Sequence, residues 1–276
     1  MGRAETGPDF VEALARGLDV IRAFRSGRPT MTLSEVAAEA GLARPTARRF
    51  LLTLQQLGYV RTDASGFALT PRVLELGTAY VESLALWDVA RPHMEALVAR
   101  TRESSSIGQL DGSDVVYVAR VAVPKIVALS VTIGTRFPAL QTSLGKVLLA
   151  ALPDDEVDAA LAQPSRSGIE PLRTPDHDEQ TAVLREVRAR GWALSDEELA
   201  RGIRSVAAPL RDGAGRVVAA LNVNAHAGET SLERLTSEHL PALLAAAADV
   251  SADFARLASV PRTTAPVPPR VGVGPG

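Results

Sequence analysis

Arg44, Thr46, Arg48, Arg49, Thr53 and Gln56 fall on one side of the stretch Arg44-Pro-Thr-Ala-Arg-Arg-Phe-Leu-Leu-Thr-Leu-Gln-Gln56 at helical spacing. Guanidinium and hydroxyl donors arrayed in this way suit phosphate oxygens and the edges of guanine or thymine. No acidic residue lies between Glu39 and Asp63, a window that holds Arg44, Arg48, Arg49 and Arg61. A polyanion requires such a locally acid-free surface, although the whole chain carries a net charge of −2. An arginine-bearing helix that is merely solvated is the plain alternative.

A second group of polar residues lies far downstream. Asn222 and Asn224 alternate with Leu221 and Val223, so on a strand they share one face. Ser205 opens a segment able to lie beside them. Polar side chains on a concave sheet face orient a small acid; the same spacing also describes a solvent-facing strand, and spacing alone favours solvent. His226 reads equally as a ligand donor and as a loop histidine. Arg120, Lys125 and Arg136 are suited either to a carboxylate or to water. Asp176-His-Asp-Glu179 has metal-ligand residue types, but acids before a helix are expected as caps. Ser104-Ser-Ser106 lacks the GxSxG context of a nucleophile.

The elements that position the first group read clearly. Thr32 and Glu35 have capping-box spacing at the start of a helix, and Leu33, Val36, Ala37 and Ala40 fall on its apolar face. Gly41 ends that helix. The next begins near Arg44, with Pro45 in the first turn and a buried stripe of Ala47, Phe50, Leu51, Leu54 and Leu57. Tyr59-Val-Arg-Thr62, the turn Asp63-Ala-Ser-Gly66 and Phe67-Ala-Leu-Thr70 predict a hairpin, a wing in which Arg61 meets a phosphate backbone. Upstream, Phe10 to Phe24 predicts a helix with Leu14, Leu18, Val20 and Ile21 toward the core. Two helices around a tight turn followed by a hairpin form a winged helix-turn-helix.

With 276 residues the chain has room for about two domains. Hydrophobic content of 46% and charged content of 22% fit a soluble protein. No stretch spans a bilayer and no apolar signal core opens the chain, so a cytoplasmic location is expected. Without cysteine, disulfides, thiolate metal sites and cysteine nucleophiles are excluded. Residues 1–9 are expected to be disordered, 10–71 to form the winged domain, 72–87 a connecting helix, 88–258 a second domain, and 259–276 a Pro/Gly-rich disordered tail. Within the second domain, helices are expected at 90–100, 143–151, 155–162, 179–190 and 231–257. Strands are expected at 104–110, 114–121, 126–130, 192–194, 205–211 and 217–224, with Asp111-Gly and Asp212-Gly-Ala-Gly as hairpin turns. This predicts an α+β class with an antiparallel sheet.

With these elements in place, the chain resembles the IclR family of bacterial transcription regulators over Phe10 to Leu257. The motifs that carry the resemblance are Ala15-Arg-Gly-Leu-Asp-Val-Ile, Leu42-Ala-Arg-Pro-Thr-Ala-Arg-Arg-Phe, Gly134-Thr-Arg-Phe-Pro-Ala with Thr142-Ser-Leu-Gly-Lys, Asp196-Glu-Glu-Leu-Ala-Arg-Gly-Ile-Arg-Ser-Val and Val218-Ala-Ala-Leu-Asn-Val-Asn. Leu69-Thr-Pro-Arg-Val-Leu-Glu-Leu-Gly, Asp114-Val-Val-Tyr-Val-Ala-Arg-Val and His226-Ala look most like its PcaR/PobR branch, which is associated with aromatic-acid catabolism.

The resemblance implies a winged helix-turn-helix, a connecting helix and a GAF-like effector domain. It also implies dimers or tetramers on pseudo-palindromic operator DNA, with no cofactor, no metal and no membrane partner. It points to Leu129, Ser143, Leu144, Ser195 or Asp196, Ser205, Asn222 and Asn224 as contacts for a small organic acid such as 4-hydroxybenzoate, protocatechuate or β-ketoadipate; His226 is a further candidate. Ser143 stands where family members often carry glycine or alanine. Two other readings remain: a DNA-binding protein without ligand, and an enzyme using Asp196, Glu197 or His226 with a DNA-binding appendage.

Overall fold

The computed structural model describes residues 7–24, 28–63, 65–76, 86–124 and 131–259. Contacts divide the chain into two units, Met1–Leu84 and Ala85–Gly276. The first holds α1 (Glu12–Ala23), α2 (Leu33–Glu39), α3 (Arg44–Gln56), the antiparallel pair β1 (Val60–Asp63) and β2 (Gly66–Leu69), and a 3-10 turn at Pro71–Leu74. Thr32 caps α2 reciprocally with Glu35, as their spacing predicts. Gly41 takes φ +65°, the left-handed conformation that lets α2 turn sharply into α3. Val20, Met31, Val36, Leu51, Leu54 and Val60 form the core.

Three expected core positions are corrected. Leu14 is 65% and Leu18 40% exposed. Only the later part of α1 meets the body of this small unit, where Gly17 approaches Phe50 and Val20 is buried. Leu57 lies beyond the last turn of α3 and is also exposed. Most of the expected connecting helix, and parts of both expected disordered ends, lie outside the described residues.

The second unit is built on a six-stranded antiparallel sheet in the order β5-β4-β3-β8-β7-β6. Its strands are β3 (Ser104–Asp111), β4 (Asp114–Val121), β5 (Arg136–Pro138), β6 (Ala193–Asp196), β7 (Ile203–Arg211) and β8 (Val217–His226). The helices are α4 (Leu86–Thr101), α5 (Ser143–Ala150), α6 (Asp154–Leu161), α7 (His177–Arg190), α8 (Leu232–Arg234) and α9 (Leu240–Ser259). β3 and β4 form one hairpin and β7 and β8 another. The latter turns on Asp212, whose carboxylate accepts the Ala214 and Arg216 N–H groups. β3 pairs with β8 to join the two hairpins.

On one face of the sheet, α5 covers Val115, Tyr117, Ala207 and Ala220, and α7 packs on α5. Strand alternation turns Val206, Ala208 and Leu210 to the other face, against α4 and α9. α5 is buried along its whole length, Lys146 included. Its Gly145 sits so close to the preceding 3-10 turn that a Cβ would stand 2.1 Å from the Ala139 carbonyl oxygen.

Three expectations need comment. The segment 126–130 lies outside the described residues. β5 appears where no strand was expected, because three residues ending in proline show no alternation to read. The final helix is interrupted by a π-turn at Leu235–His239.

Candidate functional site

In the first unit, α3 presents Arg44, Pro45, Arg48, Arg49 and Thr53 to solvent, while Thr46 is half-buried. Ala47, Leu51 and Leu54 turn inward, so burial of one side fixes the direction of the other. No acid stands in the first turn of α3. Among the described residues, Arg44, Arg48 and Arg49 have no ion-pair partner, so their guanidinium donors are available. Thr53 differs: its hydroxyl donates to the Arg49 carbonyl at 2.9 Å, so its proton is held within the helix. Gln55 accepts from the Thr62 hydroxyl, which ties α3 to the wing.

Arg61 is not the free donor that its sequence window implies. It pairs with Asp63 at 2.6 Å. Asp63 accepts bonds from the Ser65 hydroxyl and backbone N–H as well as from Arg61, and these hold its carboxyl down to about 2.

In the second unit, the space between the sheet and Gln141-Thr142, which lead into α5, is a cavity of about 70 Å³. Ser205, Asn224 and His226 line it, on adjacent strands in which Ser205 pairs with Asn224 and Ile203 with His226. Phe137, Val131, Leu199 and Ile203 supply its apolar wall. Ser143 reaches it indirectly: its hydroxyl lies 2.7 Å from that of Ser205. His226 Nδ1 accepts the Gly228 N–H, which places the proton of the neutral ring on Nε2.

The other predicted contacts fall elsewhere. Leu144 is fully buried behind the wall, against Gly108. Leu129 lies outside the described residues. Asp196 is absent from the wall; it accepts from Arg204 at 2.9 Å, and Ser195 lines the cavity in its place. Asn222 is 1% exposed, which removes the solvent-facing alternative. Its Oδ1 accepts the Ser106 N–H at 3.0 Å.

Tyr117, Glu103, Gln141 and Thr142 complete the polar wall and were not singled out by sequence reasoning. Tyr117 stacks edge-on against Phe137 with centroids 5.3 Å apart. Burial pushes its phenol up, while bonds from Asn224 and Asn222 and the Arg120 charge pull the other way. The available signal was a tyrosine amid alternating valines in a chain with only three tyrosines. Arg120, left open by the sequence, lines the cavity and donates to the Ser106 hydroxyl at 3.1 Å; burial lowers its guanidinium. Arg136 instead pairs with Asp111 and Asp114 on the sheet edge.

The segment between β6 and β7 forms one rim through Leu199. It is held by Lys146, which meets Glu198 at 2.5 Å, and by Arg204, which reaches Asp196 and the Thr230 carbonyl. Asp176 is a helix cap that accepts the Glu179 N–H, and Ser104–Ser106 lie in β3. Among the described residues there is no metal-binding cluster and no helix long and apolar enough to cross a membrane.

Comparison with known proteins gives matches across both units. Residues 13–64 match the IclR helix-turn-helix domain, and residues 78–252 match the C-terminal domain of bacterial transcriptional regulators of the IclR type. The Pca regulon regulatory protein of Pseudomonas putida is 37% identical over 250 residues, covering 90% of this chain and 86% of that protein. The p-hydroxybenzoate hydroxylase transcriptional activator of Acinetobacter baylyi is 34% identical, covering 85% and 89% respectively. The crystal structure of an IclR homologue from Microbacterium hydrocarbonoxydans, complexed with 4-hydroxybenzoate, is 26% identical with a TM-score of 0.76, covering 89% of this chain and all of that one.

Proposed function

The chain belongs to the IclR family of bacterial transcription regulators, and from that premise we propose how its two units divide the work. As an IclR-type regulator it binds DNA through its helix-turn-helix. Arg44, Arg48 and Arg49 on α3 are the groups proposed to meet the major groove, with Pro45 and Thr46 at the entry and Arg61 contributing once released from Asp63. The observation that carries this assignment is three exposed arginines on one helix face with no acidic partner among the described residues.

The cavity is the proposed effector site. Ser205, Asn224 and His226 are the proposed direct contacts, Ser143 and Asn222 support them, and Leu144 forms the back wall. A p-hydroxybenzoate hydroxylase activator and a 4-hydroxybenzoate complex among the relatives favour an aromatic acid or a ring-cleavage product. Residues 10–71 serve as the DNA-binding domain, 72–87 as a connecting helix and 88–258 as the sensor, within a dimer or tetramer on a pseudo-palindromic operator. Ligand binding then shifts the population between sensor states. A hydrolytic role for Asp196 or Glu197 is disfavoured, because Arg204 engages both carboxylates.

Thermal unfolding with 4-hydroxybenzoate, protocatechuate, β-ketoadipate and unrelated acids tests the effector. A bound acid at a hundredfold excess over Kd stabilises the protein by about 2.7 kcal/mol. Absence of any shift would refute the aromatic-acid reading. Lack of preference for the protein's own promoter region over random DNA would refute the operator reading.

A further inference from the structure

Most cations that the second unit draws into its interior have an acid beside them. Lys146 has Glu198, Arg204 has Asp196, and Arg136 has Asp111 and Asp114. Arg120 is half-buried on the cavity wall and has no carboxylate partner among the described residues. Of its five N–H donors, one meets the Ser106 hydroxyl. A partly desolvated charge without a counter-ion is unfavourable. Beside it, Tyr117 brings its phenol to the same cavity wall.

The hydroxyls elsewhere on the wall are not equivalent. Thr142 donates to the Ala139 carbonyl and Ser195 to the Gln141 carbonyl. Among the described residues, Ser205 is tied only to the Ser143 hydroxyl, so the pair retains a lone pair and a proton for a ligand. Between β4, which carries Arg120, and β7, which carries Ser205, lie β3 and β8. Three strand spacings set the two backbones about 14 Å apart, and the apolar Phe137 and Leu199 also face the cavity. Glu103, whose carboxylate accepts from the Thr230 hydroxyl, also lines the wall.

We propose that the effector lies across the sheet with its carboxylate on Arg120 and Tyr117 and a second hydroxyl-type group on the Ser205–Ser143 pair. Arg120 thus selects for an acid, and Ser205 selects among acids. This orientation rests on the effector reading above. It directs the ligand's charge to a side chain on β4, leaving the first turn of α5 to the uncharged end.

Calorimetric titration of the full-length protein with benzoate, 4-hydroxybenzoate and the neutral 4-hydroxybenzamide tests it. Arg120→Gln is expected to weaken both acids about tenfold or more and leave the amide nearly unchanged, with Arg120→Lys restoring part of the loss. Ser205→Ala is expected to bring 4-hydroxybenzoate down to the affinity of benzoate and leave benzoate as it was. Urea unfolding midpoints show whether each variant is folded. Equal weakening of amide and acids by Arg120→Gln, or of both acids by Ser205→Ala, overturns the orientation while leaving an aromatic-acid effector in place. Failure of the unaltered protein to bind either acid overturns the orientation, and failure to bind protocatechuate and β-ketoadipate as well overturns the effector reading itself.

Discussion

Lys146 and Glu198 meet at 2.5 Å, joining a helix that is buried from end to end to the segment that forms a rim of the cavity. Lys146 is almost wholly enclosed, and it also donates to the Leu194 carbonyl. The pair therefore fixes the rim from inside.

Removing one partner has asymmetric consequences. Glu198→Gln strands the lysine charge and is expected to cost about 1–2 kcal/mol, less than a fully buried pair because Glu198 reaches solvent. Lys146→Met removes the charge altogether and should cost less. Urea unfolding of both variants checks the order; a larger loss for Lys146→Met contradicts it.

Arg48→Ala and Arg49→Ala are each expected to weaken operator binding by about 1–3 kcal/mol where the side chain reads a base. Titrations on operator and random DNA at several salt concentrations separate the roles. A loss confined to the operator marks a base contact, whereas a uniform loss with a salt slope lower by about 1 marks a phosphate contact.

The wing carries a pH dependence. Ser65 and Arg61 lower the Asp63 carboxyl from 3.8 to about 2 in the folded state. A depressed folded value means that the stabilisation is present above 3.8 and is lost as pH falls toward and through about 2. NMR titration of the Asp63 carboxyl should show that midpoint; an ordinary value rules out the wing network. Asp63→Asn should free Arg61 and steepen the salt dependence of DNA binding by about 1.

Asn222 and Asn224 should separate on mutation despite sharing a strand face. Asn222→Leu deprives the buried Ser106 N–H of its acceptor and is expected to cost about 1–3 kcal/mol of stability. Asn224→Ala, at a half-buried position, should weaken the effector response with little change in unfolding. Comparable stability losses in both would contradict this division.

Gly145→Ala places a methyl against the Ala139 carbonyl oxygen. Seating α5 then requires a backbone shift, expected to cost about 1–3 kcal/mol or more. Differential scanning calorimetry measures it, and an unchanged Tm would mean that the 3-10 turn yields freely.

Local chemistry was readable in the sequence wherever a few neighbouring residues decide the outcome. The Thr32–Glu35 capping box, the Asp176 cap, the Asp212 turn and the α3 arginine face all follow from short-range rules. What escaped depends on partners distant in the chain. Leu14 and Leu18 have the right period for a core face, but nothing in their own helix reveals where the body beneath it ends. Arg61 stood in an acid-free window whose boundary residue, Asp63, turned out to be its partner. Tyr117 and Arg120 face Asn224 and Ser205 only because two hairpins join side by side.

That join has a kinetic consequence. Each hairpin can form from nearby residues, but Ser106 cannot meet Asn222 until 116 further positions of chain are available. Long-range closure of this kind slows folding. The helix-turn-helix needs little beyond its own stretch of sequence, and domains tend to fold in order as they leave the ribosome. A nascent chain therefore displays a finished reading head before its sensing half can exist, and a truncated product ending ahead of β8 would carry the former without the latter.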